Sequence, residues 1–131
     1  MVKIQRDKID VNLLEDMLKK NDAGAVILFL GEPRRSPEDG DVVSINYTAY
    51  EEMAIKEMEK IENEAKNKFH VKDVIIVHRI GNIPLKEISF FVGVSSAHRK
   101  EGFKACQWIV DEVKSTVPIW KEIRYEIGRN S

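Results

Sequence analysis

The chain has 131 residues, enough for one domain and short for two by the rough guide of about 150 residues per domain. Hydrophobic residues make up 43% of the sequence, so a sizeable core is expected and wholesale disorder is excluded. The 21 Lys and Arg nearly balance the 22 Asp and Glu, which leaves a net charge of -1. This balance excludes the global basicity of proteins that bind nucleic acid through its phosphates. It does not exclude a local basic pocket.

The first predicted elements are a short helix and a buried strand. Asp10 is a predicted N-cap, and apolar residues share one face of the helix that follows: Leu13, Leu14, Met17 and Leu18. Polar and small residues over 21–24 end this helix, and the apolar run 25–30 predicts a buried strand. Segment 32–41 contains two prolines, a glycine and several charged residues, so we predict a loop there.

A clearer pattern begins with the alternation of apolar and polar residues over 42–47, which indicates a half-buried strand. Helical spacing follows over 50–65, and the opposite face of that helix carries Glu–Lys pairs four residues apart. Further strands are predicted over 74–80 and 87–95, with a turn at 81–84 between them.

The last part of the chain predicts a second long helix and a final strand. The helix starts near Ser96 and is broken by Pro118, and the strand covers about 119–127. From Val42 the order is therefore βαββαβ. This order is typical of a split βαβ arrangement, in which two long helices cover one face of a mainly antiparallel sheet. We predict a single α+β domain that spans residues 1–131.

Lys121 is the first candidate for a functional residue, because it interrupts an otherwise apolar face of the last strand. By the period of two, it shares that face with Ile119, Ile123 and Tyr125. The lysine either extends from a sheet edge into water, which is the commoner arrangement, or is partly desolvated and suited to proton transfer or nucleophilic attack. Lys114, in the last turn of the second helix, either complements the helix dipole or joins Lys121 at one end of the sheet.

Two further pairs of basic residues are candidates for anion binding. His98 and Arg99 stand where a strand leads into the second helix, and helix N-termini attract anions; a surface salt bridge is the alternative interpretation. Arg34 and Arg35 lie in the proline-containing loop, where binding residues are often found. Nearby acidic residues could neutralise both arginines, so a solvated charged loop is the other possibility.

The remaining reactive side chains receive structural interpretations. His78 lies inside a strand, and its side chain points to the face opposite that of Arg79, so we interpret it as a structural histidine. Cys106 lies on the apolar stripe of the second helix and is expected to be inert packing. The three histidines and one cysteine form no zinc-ligand pattern, and no glycine-rich phosphate loop is present. No metal ion or cofactor is therefore predicted.

The expected location of the protein is the cytoplasm. A single cysteine cannot form a disulfide within the chain, which fits a reducing compartment. No apolar run approaches the roughly 18 residues that can span a bilayer. The charged N-terminal segment does not resemble a signal peptide.

Four motifs, in the right order along the chain, carry a resemblance to a known family. They are a tyrosine and methionine pattern at the start of the first long helix (47–54), VHRIG (77–81), VGVSSAHR (92–99) and PIWKE (118–122). Together they resemble the large, catalytic subunit of molybdopterin synthase over about residues 25–122. The resemblance implies an α/β-hammerhead fold and a sulfurtransferase of molybdenum cofactor biosynthesis that needs no metal or cofactor.

The resemblance also implies partners. The family forms a homodimer that carries a small ubiquitin-like sulfur-carrier subunit at each end, giving a heterotetramer. The carrier's C-terminal Gly-Gly thiocarboxylate would enter a pocket and supply two sulfurs to cyclic pyranopterin monophosphate, which becomes molybdopterin. Neither a membrane nor a nucleic acid is expected as a partner.

Six residues of this chain match functional positions of the family. Lys121 is expected to act mainly as an acid or base, and Lys114 mainly to pair with the thiocarboxylate or the substrate. Both match the family's active-site lysines. The matches to anion-binding, pocket and aromatic lining positions are Arg34, His98, Arg99 and Phe29.

The chain departs from the family pattern in several places. An acidic residue usually stands two positions after the second lysine, whereas this chain has Ile123 there and Glu122 one position earlier. Glu32 and a proline replace small residues before the arginine loop. The longer tail that can reach a neighbouring subunit's pocket is expected to be largely missing, so a trans-acting arginine, if the reaction needs one, is expected to be Arg124 or Arg129. These departures keep open an alternative function, a non-catalytic dimeric α+β module that binds a small anionic metabolite.

Overall fold

The computed structural model of the protein describes residues 1–34 and 42–125. Arg35, Arg129 and the predicted end of the last strand at 126–127 lie outside the described residues. The helices are α1 (Val11–Leu18), α2 (Glu51–Phe69) and α3 (Arg99–Thr116). The strands are β1 (Val2–Gln5), β2 (Ala25–Gly31), β3 (Val42–Ala49), β4 (Asp73–Arg79), β5 (Gly81–Pro84), β6 (Phe90–Ser96) and β7 (Ile119–Tyr125).

The described strands form two sheets rather than one. The larger has the order β1-β4-β6-β2, with β1 parallel to β4 and the other pairs antiparallel. The smaller is antiparallel and has the order β5-β3-β7. The predicted α+β class is confirmed, whereas the prediction of a single sheet is wrong. The order from Val42 is βαβββαβ, because β5 forms where a turn was predicted.

The large sheet is covered on both faces. Alternating residues of β4 separate two cores, since neighbouring side chains of a strand point to opposite sides. Val74 and Ile76 pack with α2 and α3, whereas Ile75 and Val77 pack with α1. The prediction that both long helices lie on one face is therefore confirmed, and α1 covers the other face.

Helix boundaries follow from local hydrogen bonds. Asp10 caps α1 as predicted, since its Oδ1 accepts a hydrogen bond from the Leu13 N–H at 3.2 Å. The helix α3 begins at Arg99 instead of near Ser96, because Ser96 still pairs with β2 through Ala25. The Ser96 hydroxyl donates to the His98 carbonyl at 2.6 Å, which holds His98 in the extended conformation before the helix.

The two sheets meet where α3 passes into β7. The Tyr50 N–H donates to the Pro118 carbonyl at 3.1 Å, which ties the end of β3 to the start of β7. On β3, Tyr47 stands opposite Lys121, and on β4, His78 stands opposite Phe90 of the large sheet. The connection from α3 to β7 thus brings the last turn of the helix beside both sheets.

Candidate active site

A cavity of about 500 Å³ lies at this junction of the two sheets. The last turn of α3 and strand β7 form one side, and β3, β4 and the ends of β2 and β6 form the other. Its apolar walls include Val113, Val117, Ile119 and Ile123, and its polar lining includes Tyr47, His78 and Ser89. The size is in the range of small-molecule sites, which are typically several hundred Å³.

Three basic side chains converge on this cavity. Lys114 reaches it from the last turn of α3, Lys121 from β7, and Arg34 from the segment after β2. All three are exposed, and none forms a salt bridge with a carboxylate of the described residues. Glu32 also lines the cavity and is exposed. This concentration of positive charge suits a small anion.

The setting of Lys121 matches the face predicted for the last strand. Ile119, Lys121 and Ile123 line the same cavity, as the period of two requires. Lys121 is exposed, and β7 is an edge strand of its sheet. This arrangement agrees with a lysine that extends from a sheet edge rather than with a buried one. Arg124 lies outside the lining and pairs with Glu122 at 3.2 Å.

His78 also lines the cavity, although sequence reasoning gave it only a structural role. Its Nδ1 lies 2.8 Å from the carbonyl oxygen of Arg79, and its ring stacks on Phe90 with centroids 5.2 Å apart. The ring of Tyr47 meets it edge-on at 5.0 Å. Burial, together with the positive charge of Lys114, lowers the pKa of His78 to about 4, so the imidazole is neutral at pH 7. Its only signal in the sequence was its place in the VHRIG motif.

His98 and Arg99 do not line this cavity. They stand at the N-terminal end of α3, whereas Lys114 is in its last turn. At 1.5 Å per residue, the helix separates Arg99 from Lys114 by about 22 Å. Both His98 and Arg99 are exposed. The structure of one chain therefore does not bring these two residues together with the lysines.

Phe29 lies behind the cavity wall instead of on it. Its ring meets Phe90 edge-on, with centroids 5.7 Å apart, and Phe90 does line the cavity. Phe29 itself borders a separate depression on the outer side of β2 and α3, next to Phe103 and Cys106. Its contact with the site is thus indirect, through Phe90.

Cys106 and Arg79 serve the fold: Cys106 is buried, and hydrogen bonds hold Arg79 in place. Cys106 is buried, and burial raises the pKa of its thiol to about 11, so it carries almost no thiolate at pH 7. This agrees with its prediction as packing. Arg79 donates from Nη1 to Glu87 at 2.8 Å and from Nε to the Arg6 carbonyl at 2.9 Å.

The described ranges, 1–34 and 42–125, contain neither a membrane-spanning helix nor a cluster of metal ligands. No helix in them is long and apolar enough to cross a membrane. No group of three or more His, Cys, Asp and Glu side chains in them could hold a metal ion.

The fold and the cavity define an α+β protein with a basic site for small anions. The family model described as MoaE protein matches residues 4–116, and the chain belongs to this family. It is 47% identical over 105 residues to the molybdopterin synthase catalytic subunit of Pyrococcus abyssi, which covers 80% of this chain and 71% of the relative. It is 40% identical over 124 residues to the molybdopterin synthase catalytic subunit of Thermoplasma volcanium, and the match covers 93% of this chain and 90% of the relative.

A solved structure confirms the architecture that the resemblance implied. The molybdopterin synthase from Staphylococcus aureus superposes with a TM-score of 0.89 at 32% identity, over 95% of this chain and 91% of that one. The two-sheet arrangement is therefore that of the family.

Proposed function

We propose that the protein is the catalytic subunit of a molybdopterin synthase, a sulfurtransferase that converts cyclic pyranopterin monophosphate to molybdopterin in the cytoplasm. The sulfur comes from the C-terminal thiocarboxylate of a small ubiquitin-like carrier subunit. The observation that carries this proposal is the convergence of Arg34, Lys114 and Lys121 on one cavity. Membership of the family supports it.

The cavity suits both anions of this reaction. A thiocarboxylate and a phosphate each accept charge-assisted hydrogen bonds, which Lys and Arg donate in this lining. The aliphatic walls formed by Val113, Val117 and Ile119 suit a glycine tail, which carries no side chains of its own. We assign Lys114 to pairing with the thiocarboxylate or the substrate, and Lys121 to proton transfer during the addition of sulfur.

An external sulfur donor also fits the chemistry of this chain. Its one cysteine, Cys106, is buried and held as a thiol, whereas sulfur transfer from a cysteine needs an accessible thiolate. The carrier's thiocarboxylate is an anionic sulfur that arrives already activated. The role of the chain is then to bind and orient it against the substrate.

His98 and Arg99 take part in this proposal through a second copy of the chain. They stand about 22 Å of helix away from Lys114, too far to share a ligand with it in one chain. In a homodimer the α3 N-terminus of one copy can approach the cavity of the other and add two donors for the substrate phosphate. Each site then contains residues from both chains.

Reconstitution of the reaction tests the function. The purified protein is mixed with a thiocarboxylated carrier and cyclic pyranopterin monophosphate, and molybdopterin is measured by mass spectrometry. We expect product only with the thiocarboxylate, whereas the same carrier with an ordinary C-terminal carboxylate gives none. Tight binding of the substrate without any product would instead support the non-catalytic anion-binding module.

A further inference from the structure

His78 lines a cavity whose other nitrogen-bearing side chains, Arg34, Lys114 and Lys121, are hydrogen-bond donors. A carbonyl oxygen only accepts, so the Nδ1 beside Arg79 carries the ring proton and Nε2 has the free lone pair. Phe90 and Tyr47 hold the ring from two sides. Among the described residues the ring forms its hydrogen bond through Nδ1, and Nε2 is not among the buried side-chain atoms left without a partner. The tautomer and the orientation of the ring are thus set before any ligand enters.

The proposed reaction contains a step that needs such an acceptor. When the thiocarboxylate sulfur bonds to an electrophilic substrate carbon, a carbon–oxygen bonding pair of that carbon moves to its oxygen, which gains a proton, and carrier and pterin become joined as a thioester. Water must then attack the carrier's carbonyl carbon: its oxygen forms a C–O bond, the C–S bond breaks, and the sulfur leaves on the pterin. The water loses one proton to a base, and the departing sulfur gains one, so the step consumes one water and no oxidant or reductant.

Few groups of the lining can take that proton. Lys114 and Arg34 are assigned to binding the anions as donors, and Lys121 to the proton transfer that accompanies the addition of sulfur. Glu32 is an acceptor, but it is exposed and directly follows the end of β2. His78 is the buried acceptor, with only 7% of its surface exposed, in the part of the lining contributed by β4.

We propose that His78 is a further catalytic residue, whose Nε2 accepts a proton from the water that hydrolyses the thioester between carrier and pterin. This inference rests on the proposed function and adds a step to it. Tyr47 on β3 packs edge-on against the ring, and the positive charge of Lys114 on α3 acts on it. The other charged groups of the same cavity are Glu32, Arg34 and Lys121. Burial keeps the imidazole neutral at pH 7 and therefore able to accept a proton, while its pKa of about 4 makes it a weaker base than an ordinary histidine and favours rapid release of that proton.

Single-turnover reactions with two variants test the assignment. His78→Asn keeps a donor near the Arg79 carbonyl but has no base, and His78→Phe keeps the ring that packs against Phe90 and Tyr47. We expect both to form the carrier–pterin adduct at nearly the wild-type rate and to hydrolyse it about 10²–10⁴ times more slowly. Intact-mass spectrometry then shows the adduct accumulating. The matched control is His70→Asn, an exposed histidine at the end of α2, which should not accumulate adduct.

The dependence on pH separates a base from a structural residue. In the His78 variants hydroxide must replace the general base, so adduct hydrolysis should rise about tenfold per pH unit, whereas in the wild type it should stay nearly flat near neutral pH. Lys114, Tyr47 and Glu32 are present in both proteins, so the comparison between the two rate profiles isolates the loss of the imidazole. In the wild type itself, hydrolysis should be slower in D₂O than in H₂O, a readout that does not depend on the folding of a variant.

Several outcomes would overturn the inference. Folded His78 variants that release product at the wild-type rate would do so, as would adduct that accumulates in Glu32→Gln instead. Equal wild-type hydrolysis rates in H₂O and D₂O would also contradict it. If the wild type forms neither adduct nor product, the proposed function itself has failed, which is a different result.

Discussion

Lys121 stands directly opposite Tyr47 in the ladder between β7 and β3, and both side chains line the cavity that Lys114 enters from α3. The edge position of β7 leaves the Lys121 side chain exposed. The backbone of Lys121 is therefore held by strand pairing, while its side-chain amine stays accessible to ligands. Such a residue can serve the reaction without contributing much to folding.

We expect Lys114→Ala and Lys121→Ala each to lower sulfur transfer by about 10² or more, because each removes a charged donor or a proton-transfer group. Their free energies of unfolding should change by only about 0.5 kcal/mol, as is usual for exposed positions. Single-turnover rates and denaturant unfolding measure the two effects. Lys56→Ala, an exposed lysine of α2, is the control. Near-normal turnover in both cavity variants would refute their assignment.

Sequence patterns predicted most of the helices and the face of Lys121, because these depend on local periodicity. The Asp10 cap and the burial of Cys106 are likewise local properties. By contrast, the sequence of β5 predicts a turn. Its four residues begin with Gly81 at a positive φ of 97° and end with Pro84, and only pairing with β3 makes them a strand. The division into two sheets depends on such non-local pairing.

The candidate site was predictable in part for the same reason. Lys114 and Lys121 are close in sequence and flank a sharp turn, so their convergence is one of the two arrangements that the spacing allows. The role of His78 could not, because its contacts come from Phe90 and Tyr47 on other strands. Resemblance grouped His98 with the lysines, although one α3 helix separates them.

Complementation between variants tests the two-chain site. A His98→Ala/Arg99→Ala chain and a Lys121→Ala chain should each be nearly inactive alone. When they are mixed by joint refolding, about half of the dimers contain both chains and each of these has one intact site, so about one quarter of wild-type activity should return. Lys121→Ala mixed with Lys114→Ala is the matched control, because both changes affect the same cavity. It should recover nothing. If the mixture of the His98→Ala/Arg99→Ala chain with the Lys121→Ala chain is no more active than either chain alone, the site is not shared between two chains.

The buried His78 predicts a loss of stability in acid. Its pKa falls from the ordinary 6.5 to about 4 in the folded protein, so the unfolded chain binds the proton more tightly. The stabilisation is therefore complete above about pH 6.5 and is lost as the pH falls towards 4, by about 3 kcal/mol in all. Denaturant unfolding at several pH values measures it.

His78→Phe isolates this contribution. Asp22 and Glu87, whose pKa values are lowered by contacts with Lys72 and Arg79, also weaken the fold in acid, but they do so in both proteins. The variant should lose a smaller share of its stability between pH 7 and pH 4 than the wild type. If the free energy of unfolding of the two proteins falls in parallel between pH 7 and pH 4, His78 is not buried as a neutral group.

Gly93 allows α1 to pack closely against the large sheet. A Cβ at this position would collide with Cδ1 of Leu18 and would lie 2.9 Å from Cε1 of Phe91. Gly93→Ala should therefore destabilise the protein by about 1–3 kcal/mol through overpacking. In a Leu18→Ala background the same change should cost less, by about 1 kcal/mol, because the main collision is gone. A double-mutant cycle from denaturant unfolding measures this coupling, and strictly additive costs would mean that Leu18 does not lie over Gly93.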